Sequence, residues 1–243
     1  MLYAITHCVK YRPGLHPYTL AIEHLTVNQG DMLAITGESG CGKSTALDLL
    51  GLVSAPTSAE TFFFCRDGKR ASIPDLFAAK DFDGLARLRL GAIGSVLQTG
   101  ELLPYLSVQD NLLVPALLAG IGKDEALENA HTLAKTLGIT HRLRAYPNTL
   151  SVGERQRAAI VRALVQKPLV ILADEPTAAL DPIHANAVME VFLAEVRERK
   201  TTLILVTHQK SLLHPSMREL RIHVRQTDAG IYASVSDTLE AAC

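Results

Sequence analysis

Short apolar segments alternate with amphipathic segments through the middle and later parts of the chain. Four apolar runs have the length of buried strands: residues 32–36, 93–97, 169–173 and 203–206. Strands that are apolar on both faces are typical of parallel sheets covered by helices. Between these runs, apolar residues recur at helical spacing in three segments: residues 43–53, 154–166 and 185–199. The alternation predicts an α/β core.

The two ends of the chain have the pattern of antiparallel strands. Five segments predict such strands: residues 3–9, 18–27, 61–65, 221–225 and 231–235. The residues between the last two, Thr227 to Gly230, favour a hairpin turn. Residues 102–143 are mostly helical in pattern. We therefore expect an antiparallel β subdomain and a separate helical block beside the core.

Composition narrows the class of protein. The 243 residues are 48% hydrophobic and carry a net charge of −1, which suits a globular protein and disfavours nucleic acid as a partner. No apolar stretch reaches the ~18 residues of a membrane-spanning helix. The four cysteines are scattered and form no CxxC pair, which favours a reducing cytoplasm over disulfides or a metal centre.

A glycine-rich segment follows the first apolar run and precedes the first amphipathic helix. It fits the phosphate-loop pattern G-x-x-x-x-G-K-[ST] and is followed by Thr45; its residues are Gly37, Glu38, Ser39, Gly40, Cys41, Gly42, Lys43 and Ser44. The backbone N–H groups of such a loop surround phosphate oxygens. Lys43 would reach the β- and γ-phosphates of a nucleotide, and the Ser44 hydroxyl would bind Mg²⁺. The alternative is a chance glycine-rich turn, which the flanking strand and helix disfavour.

Polar side chains follow three other predicted strands. Asp174 and Glu175 come directly after residues 169–173, while Gln98 and His208 follow the runs 93–97 and 203–206. With a phosphate loop, Asp174 can hold Mg²⁺ and Glu175 can polarise the attacking water. Because ligands of open α/β sheets bind beyond the carboxyl ends of strands, we expect these side chains to converge with the phosphate loop. An acidic turn, and structural roles for the other two, are the alternatives.

A second helix start has the chemistry of an anion site. The residues Leu150-Ser151-Val152-Gly153-Glu154 precede the helical segment 154–166, and Ser151 with Glu154 has the spacing of a capping box. A helix start attracts anions, and no phosphate loop lies beside this one in the sequence. A simple structural cap is the alternative.

At this point the sequence resembles the nucleotide-binding subunits of ATP-binding-cassette (ABC) transporters, and the resemblance covers nearly the whole chain. Their signature, Leu-Ser-Gly-Gly-Gln or Leu-Ser-Gly-Gly-Glu, corresponds to residues 150–154, with Val152 replacing a glycine and Gly153 retained. Gln98 corresponds to the Q-loop, Asp181 to the end of the D-loop, and His208 to the switch histidine. Tyr11 matches the aromatic residue that stacks on adenine, although it also fits a structural tyrosine at a strand end.

The resemblance implies a P-loop NTPase (RecA-like) core with an antiparallel β subdomain and a helical signature subdomain. Residues 1–97 and 165–243 would form the core and β subdomain, and residues 98–164 the helical subdomain. It further implies a head-to-tail dimer around two ATP molecules, in which the phosphate loop of one copy faces Ser151 and Gly153 of the other. Glu175, His208 and Gln98 would be catalytic, and Mg²⁺ would be held by Ser44, Gln98 and Asp174. We expect activity to survive the valine at position 152.

The residues around Gln98 indicate a branch of this family. Residues 88–98 and 102–111 resemble the ATPases of lipoprotein release, macrolide export and cell division, which work with separate membrane subunits. The chain departs from that branch at Ala178 and Ala179, where Gly-Asn is usual, and at Gln209, where aspartate is usual. The resemblance implies a membrane permease that docks near Gln98–Asn111 and a peripheral location on the cytoplasmic face of the inner membrane. Apolar side chains are added there by Leu102, Leu103, Tyr105 and Leu106, for which local packing of the helical block is the alternative. A nucleotide-gated regulatory scaffold and a non-transport ABC ATPase are the alternative functions.

Overall fold

A computed structural model describes residues 1–208, 213–228 and 230–237. The predicted turn residue Ala229 and the branch-specific position Gln209 lie outside these residues. The chain divides into two compact units, one formed by Met1–Arg89 with the chain from Ile204 onward, the other by Leu90–Leu203. Within the described ranges, none of the helices is long and apolar enough to span a membrane.

The strands and helices follow one another in mixed α/β order. The strands are β1 (Tyr3–Arg12), β2 (Tyr18–Val27), β3 (Met32–Thr36), β4 (Thr61–Arg66), β5 (Lys69–Ser72), β6 (Ile93–Val96), β7 (Val170–Asp174), β8 (Thr202–Val206), β9 (Arg218–Thr227) and β10 (Gly230–Asp237). The helices are α1 (Lys43–Leu50), α2 (Ile73–Ala78), α3 (Phe82–Arg89), α4 (Val108–Leu118), α5 (Lys123–Thr136), α6 (Val152–Val165) and α7 (Pro182–Arg199).

The first unit contains the antiparallel strands and the strand that leads to the phosphate loop. Its strands are hydrogen-bonded in the order β5-β4-β1-β2-β10-β9-β3. β1 runs antiparallel to β2 and β4, which confirms the predicted pairing, whereas β3 is parallel to β9. The buried Tyr3 hydroxyl donates a hydrogen bond of 2.8 Å to the Leu50 carbonyl, so β1 is tied to the end of α1.

The second unit combines parallel strands with packed helices. β6 pairs in parallel with β7, and the Thr202 N–H at the start of β8 donates to the Leu169 carbonyl at 2.8 Å. On the buried side of α5, Ala126, Ala130 and Ala134 recur every four residues, and small side chains at this spacing let helices approach closely. The α/β fold class is confirmed.

The main differences from the predicted elements lie at helix ends and in one polar segment. α6 begins at Val152 and α7 at Pro182, a few residues before their periodic apolar segments, because Ser151 and Asp181 cap them. β5, α2 and α3 are not predicted, because they are short and few residues are available to show a period. The division into residues 1–97 with 165–243 and residues 98–164 stays a prediction.

Candidate functional site

The phosphate loop links the end of β3 to α1 as predicted. The Lys43 ammonium group donates hydrogen bonds to the carbonyls of Gly37 at 2.9 Å and Glu38 at 2.8 Å, so its own loop holds it in place. Gly42 has a φ of 105°, which side-chain-bearing residues rarely adopt. Ser44 is exposed in the first turn of α1, while Thr45 is buried. The segment offers a cation and exposed helix N–H groups to an anion.

A tyrosine that sequence reasoning missed packs against this loop. The Tyr18 hydroxyl donates to the Cys41 carbonyl at 2.7 Å, and it occupies the space that a side chain on Gly42 would need. Burial, together with the neighbouring Cys41, raises the pKa of Tyr18 to about 12, so the hydroxyl keeps its proton. The Cys41 thiol is itself buried. Tyr18 therefore supports the loop from β2.

The other candidates of the first unit are Tyr11 and His208. Tyr11 is 44% exposed at the end of β1, and its backbone N–H donates to the Thr57 hydroxyl at 2.9 Å. His208 is exposed directly after β8. A cavity of about 540 Å³ is lined by Gly37, Glu38 and His208 among others. The start of the phosphate loop and His208 therefore face one cavity.

Asp174 and Glu175 stand at the end of β7 in the second unit. Both side chains are partly buried, and the Glu175 carbonyl accepts a hydrogen bond of 3.1 Å from the Ala178 N–H. Glu175 has a φ of 45°, a left-handed conformation that costs a residue other than glycine about 1–3 kcal/mol. The same conformation occurs at six other residues of the described ranges, so it shapes the turn after β7 and does not by itself assign a role to the carboxylate.

The start of α6 has the predicted capping box. The Ser151 hydroxyl accepts from the Glu154 N–H at 3.2 Å, and the Glu154 carboxylate accepts from the Ser151 N–H at 2.8 Å. The N–H groups of Val152 and Gly153 are the first two of the helix and have no acceptor in the helix itself. Arg142 donates to Glu154 at 2.7 Å, so its charge offsets the carboxylate that would otherwise repel an anion here.

The two central residues of the signature face different surroundings. Val152 is 58% exposed, so more than half of its surface is in contact with solvent. A Cβ on Gly153 would lie 3.3 Å from the Leu180 side chain and 3.5 Å from the Ala179 carbonyl. The glycine that the chain retains therefore packs closely against the residues that precede Asp181.

Asp181 caps α7. One carboxylate oxygen accepts from the N–H groups of Ile183 at 3.0 Å and His184 at 3.1 Å, and the other lies 2.5 Å from the His184 ring. The hydrogen bond from the His184 side chain is the main reason that the pKa of Asp181 lies below its usual value. The carboxylate is thus ionised and orients the loop that contacts Gly153.

Gln98 lies in a turn after β6. The Leu97 carbonyl accepts from the Gly100 N–H at 3.0 Å, which leaves Gln98 and Thr99 exposed at the tip. The buried Gln156 of α6 also donates to the Leu97 carbonyl, at 3.4 Å. In the second unit the signature helix therefore contacts both the Gln98 turn and the loop before Asp181. The predicted convergence of the phosphate loop with Gln98, Asp174 and Glu175 stays a prediction.

Replacing Glu154 with glutamine is expected to lower the free energy of unfolding by about 1–3 kcal/mol near pH 7. The hydrogen bond from Arg142, followed by that from the Ser151 N–H, lowers the pKa of Glu154 to about 2. Because the folded-state pKa is depressed, this stabilisation is present above the unfolded-state pKa of ~4.3 and is lost as the pH falls towards 2.

Urea unfolding at about pH 7 and pH 3 tests this expectation. The difference between the parent chain and E154Q should shrink at the lower pH. Glu128→Gln is the control, because Glu128 is an exposed carboxylate on α5 and its change should cost less than about 0.5 kcal/mol. Equal stability of E154Q and the parent near neutral pH would contradict the account.

Known proteins share this sequence pattern over most of the chain. The model of a family described as "ABC transporter" matches residues 21–178. LolD of Rickettsia felis, named as a lipoprotein-releasing system ATP-binding protein, is 39% identical over 191 residues, which cover 79% of this chain and 80% of LolD. LolD of Xanthomonas campestris pv. campestris is 41% identical over 199 residues, which cover 82% of this chain and 80% of that LolD. HrtA of Staphylococcus haemolyticus, named as a hemin import ATP-binding protein, is 40% identical over 199 residues. The match covers 82% of this chain and 86% of HrtA.

Solved structures agree with these sequence matches. The dimeric ATP-binding cassette MJ0796, in a post-hydrolysis state bound to ADP and Pi, superposes with a TM-score of 0.80 at 29% identity. The match covers 90% of this chain and 94% of that one. A second dimeric structure of MJ0796, described as a bacterial ABC transporter cassette, matches equally well.

Proposed function

Because the chain belongs to the ABC transporter family, we propose that it binds and hydrolyses ATP as a dimer and drives a separate membrane subunit. The observation that carries this proposal is the capped start of α6, whose first N–H groups have no acceptor in the helix itself. Such a helix start suits a phosphate brought by a second copy of the chain. The dimeric form of the related cassette MJ0796 supports the same arrangement.

Each candidate residue has a distinct role in this proposal. Lys43 and the N–H groups of its loop bind the β- and γ-phosphates, and Tyr11 stacks on the adenine. Glu175 accepts a proton from the attacking water, and His208 donates a hydrogen bond to the γ-phosphate. Ser151 and Gly153 contact the same phosphate from the second copy.

The oxygen donors of the chain fit magnesium. Mg²⁺ is held by few carboxylates, with the remaining ligands from neutral oxygens, water and phosphate. The Asp174 carboxylate, the Ser44 hydroxyl and the Gln98 amide oxygen are donors of this kind. When bound, the ion neutralises charge that develops on the phosphates during transfer.

The membrane subunit is proposed to dock in a groove between α4 and α6. This groove has a volume of about 340 Å³, and its lining includes Leu103, Val114 and Leu118. Leu118 is 66% exposed, and Tyr105 before α4 is 73% exposed. An exposed apolar patch of this kind suits an apolar segment of a membrane protein. Relatives named as parts of transport systems favour this role over a regulatory scaffold or a non-transport ATPase. The chain would then lie on the cytoplasmic face of the membrane.

Replacing Leu118 with aspartate is expected to shift the chain from the membrane to the soluble fraction of its own cells by about tenfold or more, because a charge would be buried at the interface. Co-sedimentation with membranes, quantified by immunoblot, measures this shift. Leu15→Asp is the matched control, since Leu15 is 99% exposed and lies in the first unit. If L118D and L15D sediment alike, the groove is not the docking site.

A further inference from the structure

Three side chains at the docking groove hold the backbone of one continuous segment. Arg162 donates to the Glu101 carbonyl at 2.8 Å, and Gln166 donates to the Ile93 carbonyl at 2.9 Å. Asn111, which is 1% exposed, accepts from the Leu103 N–H at 2.7 Å and donates to the Leu103 carbonyl at 3.0 Å. All three side chains line the groove. The groove is therefore lined by the groups that fix the chain on either side of Gln98.

The Gln98 turn is itself held against α6. Its Leu97 carbonyl accepts from both the Gly100 N–H and the Gln156 side chain. Gly100 has a φ of 71°, and a Cβ there would lie 3.3 Å from the Arg155 carbonyl, which is tighter than ordinary contacts. The residues on both sides of Gln98 and Thr99 are thus fixed by hydrogen bonds, at Leu97 by Gly100 and by α6.

Arg162 is the donor at the junction of the groove and the turn. It lines the groove on one side, and its acceptor Glu101 follows Gly100 directly. Burial lowers the pKa of Arg162, opposed by the nearby Glu101 carboxylate. A guanidinium that is partly withdrawn from water makes a stronger hydrogen bond to a carbonyl than an exposed one does. This link should persist while the groove is filled or emptied.

We infer that Arg162 is a positioning residue for Gln98: it ties the turn that carries Gln98 to the groove, so that filling the groove changes the rate of ATP hydrolysis. The inference rests on the proposed function, because it takes Gln98 as a residue of hydrolysis. Arg162 contacts neither nucleotide nor metal in this account. Arg162 acts by fixing the position of the turn that carries Gln98.

The substitution Val114→Trp can fill the groove with a side chain of the protein itself. Val114 lines the groove from α4 and is partly buried, so Val114→Trp would place an indole in the space. Leu117→Trp is the matched control, because Leu117 lies on the same helix, is 43% exposed and is not part of the lining. Leu118→Trp is a second filler if V114W fails to fold.

The decisive comparison is the effect of V114W on kcat in the parent chain and in the R162M background. We expect a change of about fivefold in the parent and less than about twofold in R162M, which is the signature of coupled residues. L117W should change kcat by less than about twofold in both backgrounds. The KM for ATP should stay within about twofold throughout, because ATP is bound mainly by the phosphate loop.

Two further variants separate positioning from simple destabilisation. R162M alone should lower kcat by about threefold or more and raise the Mg²⁺ concentration for half-maximal rate, whereas R162K, which keeps a donor, should restore most of both. Arg197→Met on the exposed side of α7 is the matched control and should change neither. Thermal unfolding of each variant verifies that the chain is folded under assay conditions.

The outcomes distinguish this inference from the proposed function. Equal effects of V114W in the two backgrounds, or no effect in either, would overturn the role of Arg162 while ATP hydrolysis by the parent chain stands. No hydrolysis by the parent chain would overturn the proposed function itself.

Discussion

Glu175→Gln is expected to reduce the rate of ATP hydrolysis by about 10²–10⁴-fold while ATP still binds. Glutamine keeps the size of the side chain but cannot accept a proton from water. The left-handed backbone at this position, with a φ of 45°, already costs stability, and the amide is expected to retain the same turn. Phosphate release under saturating ATP and Mg²⁺ measures the loss.

Glu190→Gln is the control for this substitution. Glu190 is an exposed carboxylate on α7, so its change should leave turnover within about twofold. A nucleotide-binding titration of E175Q separates loss of chemistry from loss of binding. Turnover of E175Q within a few-fold of the parent would remove Glu175 from the role of general base.

Lys43→Ala is expected to weaken ATP binding by about 10²-fold or more. Lys43 would contribute charge-assisted hydrogen bonds to phosphate, each worth roughly 1.5–3 kcal/mol, and tenfold in affinity corresponds to about 1.4 kcal/mol. The loop also loses the internal bonds from Lys43 to the Gly37 and Glu38 carbonyls. Isothermal titration with ATP gives the dissociation constant directly.

Lys43→Arg and Lys123→Ala refine this test. Arginine keeps the charge, but its planar guanidinium cannot reproduce the geometry of the compact ammonium group, so K43R should bind ATP weakly as well. Lys123 is an exposed lysine at the start of α5, and its removal should leave the dissociation constant within about twofold. An affinity of K43A close to that of the parent would contradict phosphate binding by this loop.

The sequence predicted best those features that are encoded locally. The strand, glycine-rich loop and helix around Lys43 are contiguous, and the loop pattern fixes their order. The capping box of Ser151 and Glu154 is likewise formed within four residues. Local hydrogen bonds of this kind depend little on the rest of the fold, so the pattern suffices to find them.

Contacts between segments that lie far apart in the sequence cannot be predicted from the local pattern of residues. Tyr18 reaches the Cys41 carbonyl only because the start of β2 comes to lie beside the phosphate loop. Gln156 reaches the Leu97 carbonyl across 59 positions of the chain. Neither residue has a local signal, since a tyrosine in a strand and a glutamine in a helix are both ordinary. Residues that position others are therefore found from structure.

The departure at Val152 shows how the structure refines a motif. The sequence marks it as a missing glycine, but the side chain is 58% exposed. Gly153 is the more closely packed position, because a Cβ there would lie 3.3 Å from the Leu180 side chain. The chain therefore retains the glycine of the motif that packs against the loop before Asp181.

We expect ATP to join two copies of this chain through the phosphate loop of one and the Ser151 helix start of the other. The most direct test is the mass of the E175Q variant in solution by light scattering, with and without ATP. The account predicts a single chain of 26.3 kDa without nucleotide and twice that mass with ATP, with one ATP retained per chain. A mass that stays at that of one chain under saturating ATP would contradict it.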